Sequence, residues 1–266
     1  MQLEILICTI GQGINNVPDI ILPPIHEITY LISWQPIGVP AESIPKRLLQ
    51  RADIRIVTTN RSGLCANRNN AFSEAQGDIL LISDDDTRYT PVFFQNILTT
   101  FEAHPEADII HFQALDEDGH LMKKYATKSF TYESRPRFTF FTSFEIACRR
   151  SNKLPPFDER FGLGSPFLAC GEEEVFLHTA YRKGLKIRYE PLPVVQTDSR
   201  TTGTLFATSP AVQRSKGAVL YYIYGFTGAV LRCIKFALTR SSLKAGIKSF
   251  TNMWHGIRYI QKSNCQ

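Results

Sequence analysis

The stretch "GDILLISDDDTRY", residues 77–89, places four consecutive apolar residues, Ile79 to Ile82, before one serine and three adjacent carboxylates, Asp84, Asp85 and Asp86. An apolar run without polar alternation fits a strand covered on both faces, as in a parallel α/β sheet. In such sheets ligands bind outside the carboxyl ends of the strands, so three carboxylates at that end mark a site. If the chain stays extended, the two-residue period sends Asp84 and Asp86 to one side and Asp85 to the other. Two converging carboxylates repel, which raises a pKa or calls for a cation. Oxygen ligands of this kind suit Mg²⁺ or Mn²⁺, which keep coordination positions open for phosphate oxygens. The alternative is a solvated acidic loop.

The same alternation extends on both sides of this stretch. "LEILICTI", "EITYLIS", "DIRIVTT" and "ADIIHFQAL" read as strands, and a helix is predicted from Leu64 to Gln76 with Ser62 as its cap, another after Pro91. This pattern predicts an α/β fold with one mostly parallel sheet flanked by helices. Residues 120–170 are less regular, with "FTFFTSFEIACRR" predicted as a strand pair or bent strand. "GEEEVFLHTAYRKG" reads as a helix closed by Gly184, followed by a strand at "LKIRYEP". The "GQG" at Gly11–Gly13 lacks the third glycine of GxGxxG, which argues against a dinucleotide fold.

A length of 266 residues suits one large α/β domain with an extension. Six cysteines without a CxxC pair read as reduced thiols, and the N-terminus has no basic region before its first strand, so a cytosolic protein is expected. Charge is unevenly spread. Ten Lys or Arg and no Asp or Glu follow Asp198, whereas residues 1–198 carry 20 bases against 25 acids. An acidic body with a basic tail points to a negatively charged partner surface, lipid or nucleic acid. In the tail, Leu243, Ile247, Phe250, Trp254 and Ile257 recur at helical spacing with Lys244, Lys248, His255 and Lys262 largely opposite. That basic amphipathic helix favours the inner face of the cell membrane, with no nucleic acid expected; the alternative is simple packing on the body. The uncharged run 217–231 falls short of the ~20 residues that span a bilayer. The expected division is residues 1–205 as the catalytic domain and 206–266 as the tail.

Two further clusters are chemically notable. Asn67, Asn69, Asn70 and Arg68 sit in one helix although asparagine is a mediocre helix former, and Arg68 suits a phosphate or ribose. Glu172, Glu173 and Glu174 open another helix after a glycine-rich approach; helix-dipole stabilisation accounts for acids there, and so would a general base.

With "GLCANRNNA", "GDILLISDDD", "FDERFG" and "GEEEVF" before "RKGLKIRYEP", residues 1–200 resemble family 2 glycosyltransferases of the GT-A fold. The resemblance implies a divalent metal, Mn²⁺ or Mg²⁺, gripping the diphosphate of a nucleotide-sugar donor, with Asp84 and Asp86 as ligands and Asp86 the more direct. It implies Glu173 as general base with Glu172 beside it and inversion at the transferred sugar; Thr9, Trp34, Arg68, Asp84 and Asp85 are the residues expected at the donor. Thr9 and Trp34 are the candidates for the nucleobase, although a lone Trp is more often core. The first strand ends in "CTIGQG" where the family usually has Pro-Thr-Tyr-Asn, and the late histidine of the metal shell is missing, leaving Gln196, Asp198 or water. The acceptor would be a glycan or lipid-linked hydroxyl in polysaccharide or surface-glycan synthesis. The rival readings are a sugar-phosphate nucleotidyltransferase, disfavoured because "TIGQGINN" has no base, and a non-catalytic carbohydrate- or nucleic-acid-binding module.

Overall fold

The computed structural model describes residues 1–137, 139–197, 202–240 and 242–263. The chain resolves into two compact units: residues 1–62, 66–156 and 179–199 form the first, and residues 63–65, 157–178 and 200–266 the second. The tail expected from residue 206 thus lies in the second unit, together with two earlier segments.

The first unit holds an eight-stranded mixed sheet, β1 (Leu3–Ile10), β2 (Ile28–Gln35), β3 (Ile54–Thr58), β4 (Ile79–Asp84), β5 (Ile109–Leu115), β6 (Phe130–Thr131), β7 (Ile146–Arg149) and β8 (Ile187–Gln196), in the order β3-β2-β1-β4-β7-β5-β8-β6. β1 pairs in parallel with both β2 and β4, and this central position explains why seven of its eight residues are buried. β7 runs antiparallel between β4 and β5. The segment "FTFFTSFEIACRR" therefore supplies one strand of the sheet centre, entered through a 3-10 turn at Ser143–Glu145, and not a strand pair.

After α1 (Lys46–Leu49) and α2 (Leu64–Glu74), helix α3 (Pro91–Ala103) covers one face with Phe94, Ile97, Leu98 and Phe101, packed with Ile5, Ile7, Leu81 and Phe112 of the strands in the main core. Thr90 caps it through Phe93 N–H, and Pro91 stands where no helical donor is needed. Glu4, buried inside β1, accepts the Gln76 and Gly77 amides and pairs with Arg55 at 2.8 Å, which accounts for a charge in a fully covered strand. At Gly77 a Cβ would strike Glu4, so a residue without one is required where β4 begins.

The second unit is built on α5 (Pro210–Leu238) and α6 (Leu243–Ser263). They pack antiparallel, so closely that a Cβ at Gly217 would meet the Met253 backbone and one at Gly256 the Arg214 backbone. Gly225, at φ 67°, breaks α5 into two shorter helices. By length and composition alone α5 could cross a membrane, although the uncharged run within it is shorter. Two small cores, one around Phe161, Leu168, Val219 and Ile260 and the other around Leu220, Cys233, Met253 and Ile257, hold the unit together. Of the apolar positions read in α6, Ile257 is buried, Phe250 and Trp254 are half-buried, and Leu243 and Ile247 are exposed.

Candidate active site

The carboxyl ends of β1 and β4 lie side by side, with Cys8 opposite Asp84 in the register. β4 ends at Asp84 and the chain turns at Asp85 and Asp86, so the strand period does not continue through the cluster. Each carboxylate meets a different environment. Asp84 accepts Arg68 Nη2 at 3.0 Å, and the same nitrogen donates to Ser143 Oγ at 2.7 Å. Asp85, half-buried, accepts from the Thr9 hydroxyl. Burial pushes its carboxyl pKa up, Thr9 opposes this, and the Asp84 charge adds to it. Asp86 is exposed.

The asparagine helix, α2 (Leu64–Glu74), serves this corner. Asn67 Nδ2 donates to the Thr9 carbonyl at 3.0 Å, Asn70 Nδ2 to Ser33 Oγ at 2.8 Å, and Arg68, though only 2% exposed, reaches Asp84. These poor helix formers are thus kept for fixing the ends of β1 and β2. Trp34 is fully buried in the main core, and its Nε1 donates to the Gly11 carbonyl at 2.9 Å. Its ring lies within the core and its polar edge fixes the loop after β1. Gly13 of that loop sits so near Asp85 and Thr9 that a Cβ would collide with both, which gives the "GQG" a packing reason.

A second acidic turn follows β5. Asp116, Asp118 and His120 place one ligand atom each within 4.8 Å of one another, the group of this kind found among the described residues. Asp116 Oδ1 accepts the backbone amides of Asp118 and His120, and Gln196 Nε2 donates to the Asp116 and Glu117 carbonyls at 2.8 and 3.0 Å. Gln196, considered from sequence as a metal ligand, thus braces this turn, and Asp198 lies outside the described residues. "LDEDGH" carried the signal that "SDDD" carried, acids directly after an apolar strand, and sequence reasoning passed over it.

Between these turns Glu145, fully buried, binds His111 Nε2 and Lys123 Nζ at 2.7 Å each and accepts from the Tyr125 hydroxyl. Burial alone would raise its pKa; Lys123 and then His111 outweigh that and hold it down at about 2. Burial in turn pushes the His111 pKa down, against the pull of Glu145.

In the second unit, Glu172, Glu173 and Glu174 form the first turn of α4 (Glu172–Arg182). Glu172 is buried, its carboxylate beside Gly162, where a Cβ would come within 3.4 Å of Oε2. Gly162 is left-handed at φ 88°, so the glycine-rich approach is what admits Glu172. Glu174 faces Lys216 at 3.6 Å. The aspartates and Arg68 therefore belong to the first unit and the three glutamates to the second.

A mostly parallel sheet with acids and a buried arginine at its carboxyl edge is the GT-A class of design. Residues 40–159 match the family model described as Glycosyl transferase family 2, and the family resemblance read from the motifs holds. No curated protein matches the sequence. Among solved structures, the chain is similar to "S. aureus TarS 1-349" at 12% identity and TM-score 0.61, covering 99% of this chain and 92% of that one. The same fragment "in complex with UDP-GlcNAc" aligns at 11% identity and TM-score 0.61, with coverage of 99% and 92%. The longer "S. aureus TarS" aligns at 14% identity and TM-score 0.57 over 89% of this chain and 43% of that one. At such identities the likeness shows the GT-A fold.

Proposed function

We propose that this chain transfers a sugar from a nucleoside-diphosphate sugar to a hydroxyl of a glycan or lipid-linked acceptor, with inversion and with Mn²⁺ or Mg²⁺ at the donor diphosphate. The observation that carries this reading is the carboxyl edge of β1 and β4, where Thr9, Arg68, Asp84 and Asp85 interlock and Asp86 stands exposed beside them. The family match over residues 40–159 and the UDP-GlcNAc complex of a structural neighbour support it.

In this reading Arg68 orients Asp84 and supplies positive potential, while Asp85, locked by Thr9, shapes the loop that approaches the nucleotide. The donor set fits a hard cation, since Mg²⁺ is ordinarily held by one or two carboxylates plus substrate phosphates. Asp86 and Asp84 would hold it, and it would stabilise negative charge on the departing diphosphate. Glu173 takes the proton of the acceptor hydroxyl, whose oxygen attacks the anomeric carbon as the bond to the diphosphate breaks on the opposite side. One displacement gives inversion. Glu172, buried beside it, fixes the start of the helix. The basic tail keeps the enzyme on the inner face of an anionic membrane, near a lipid-linked or surface-glycan acceptor.

Calorimetry of UDP-GlcNAc with and without Mn²⁺ tests the metal assignment. Asp86→Asn is expected to abolish the Mn²⁺ dependence of donor affinity, whereas His120→Ala leaves it in place. The opposite result moves the metal to the Asp116 turn and removes Asp86 from the site.

A further inference from the structure

We propose that the outer end of the α5–α6 hairpin is a wedge that rests on an anionic bilayer without crossing it, an inference that builds on the membrane-surface reading above. The surface differs from the one that periodicity selects in α6 alone. Met253, Ile257 and Ile260 of α6 are buried in the two small cores that also hold α5 residues. Left exposed are Leu243 (80%) and Ile247 (60%) near the start of α6, and Leu231 (63%), Ile234 (43%) and Leu238 (79%) near the end of α5.

These five residues share one side of the hairpin. Leu231, Ile234 and Leu238, spaced i, i+3, i+7, form a single stripe. Ile234 follows the buried Cys233, and Trp254, on the same stripe as Leu243 and Ile247, follows the buried Met253. One residue is a rotation of about 100° in the same sense on each helix, and in an antiparallel pair equal rotations from the contact line face the same way. Arg232, Lys235, Arg240, Lys244 and Lys248 occur in the same segment of sequence as this apolar stripe, and no acid occurs after Asp198. An apolar stripe in a segment with bases and no acids is complementary to anionic headgroups over acyl chains.

The hairpin is also built against spanning. Gly225 divides α5 into residues 210–224 and 226–238, and the outer piece contains Arg232 and Lys235. Neither piece reaches the roughly 20 apolar residues a bilayer demands. The inner piece is occupied at its contact with α6, where Gly217 touches the Met253 backbone.

The test is co-sedimentation of the full chain with phosphatidylcholine vesicles, with and without phosphatidylserine, at low and high salt. The wild type is expected to bind only the anionic vesicles and to be released by salt. Replacing Leu231, Leu238, Leu243 and Ile247 together by Ser, all exposed in the folded chain, should weaken partitioning about tenfold or more. Arg258→Glu, outside the wedge, should retain binding. Light scattering accompanies each form. Equal binding by the Ser variant overturns the wedge while leaving the membrane reading intact. A wild type that ignores anionic vesicles at low salt overturns both, and sugar transfer to a soluble acceptor remains a separate measurement. Resistance to salt and alkaline extraction would mean that α5 crosses. Self-association lost in the Ser variant, without vesicle binding, would make the face an interface between copies.

Discussion

Asp84, Asp85 and Asp86 are adjacent in sequence, but they differ in their partners. Arg68 takes the first, Thr9 the second, and the third is exposed. The division of labour proposed for the glutamates can be tested in the same residue-by-residue way. Glu173→Gln keeps the side-chain shape and removes the proton acceptor, so donor affinity should stay near wild type while turnover falls roughly 10²- to 10⁴-fold. Glu172→Gln, at a buried position beside Gly162, should disturb stability or acceptor affinity more than chemistry. Steady-state kinetics and donor calorimetry on both variants separate the roles. Normal transfer by Glu173→Gln alone would exchange the two roles, and normal transfer by both variants would reduce these acids to helix-start charges.

At the scale of elements, the turn Ser143–Glu145 joins two charged systems. Ser143 receives Arg68, and two residues later Glu145 receives His111, Lys123 and Tyr125. Breaking such a buried group by removing one partner costs about 3–5 kcal/mol, so Glu145→Gln should be strongly destabilising. The pH dependence has a definite sign. Burial holds the folded His111 pKa below its ordinary 6.5, so the unfolded chain binds a proton there that the folded chain does not. Glu145 is held at about 2 against an ordinary 4.5, with the same sense. Stability from both groups is present at neutral pH and is lost as pH falls, first below about 6.5 and then more steeply below 4.5. Denaturant midpoints measured from pH 7.5 to 3.5 should follow that course; a flat profile would mean that the network carries little. None of this was legible in the sequence, because the four partners are joined across separations of 20 to 34 residues. The strands were legible for the opposite reason. Ile5 to Cys8 and Ile79 to Ile82 are apolar without interruption, a pattern local to each strand, and β1 and β4 lie where those runs place them. A strand was expected in "FTFFTSFEIACRR", but not its antiparallel place as β7, because its sheet neighbours are β4 and β5, which nothing in "EIACRR" specifies.

Across the whole molecule, the candidate acids divide between two units, the aspartates at the sheet edge in one and the glutamates with the helical hairpin in the other. The sequence showed the acids and the basic tail, but not that residues 157–178 share a unit with that tail, since this follows from packing around Phe161 and Leu168. The central claim is that the chain moves a sugar from a nucleotide-sugar donor, and release of nucleoside diphosphate from a panel of nucleotide sugars with Mn²⁺ tests it most directly. The account predicts that one donor class is turned over, that chelation of the metal stops it, and that Asp86→Asn and Glu173→Gln each suppress it without unfolding the protein. A folded, metal-supplied chain that releases diphosphate from no nucleotide sugar, with or without glycan and lipid-linked acceptors, would contradict it.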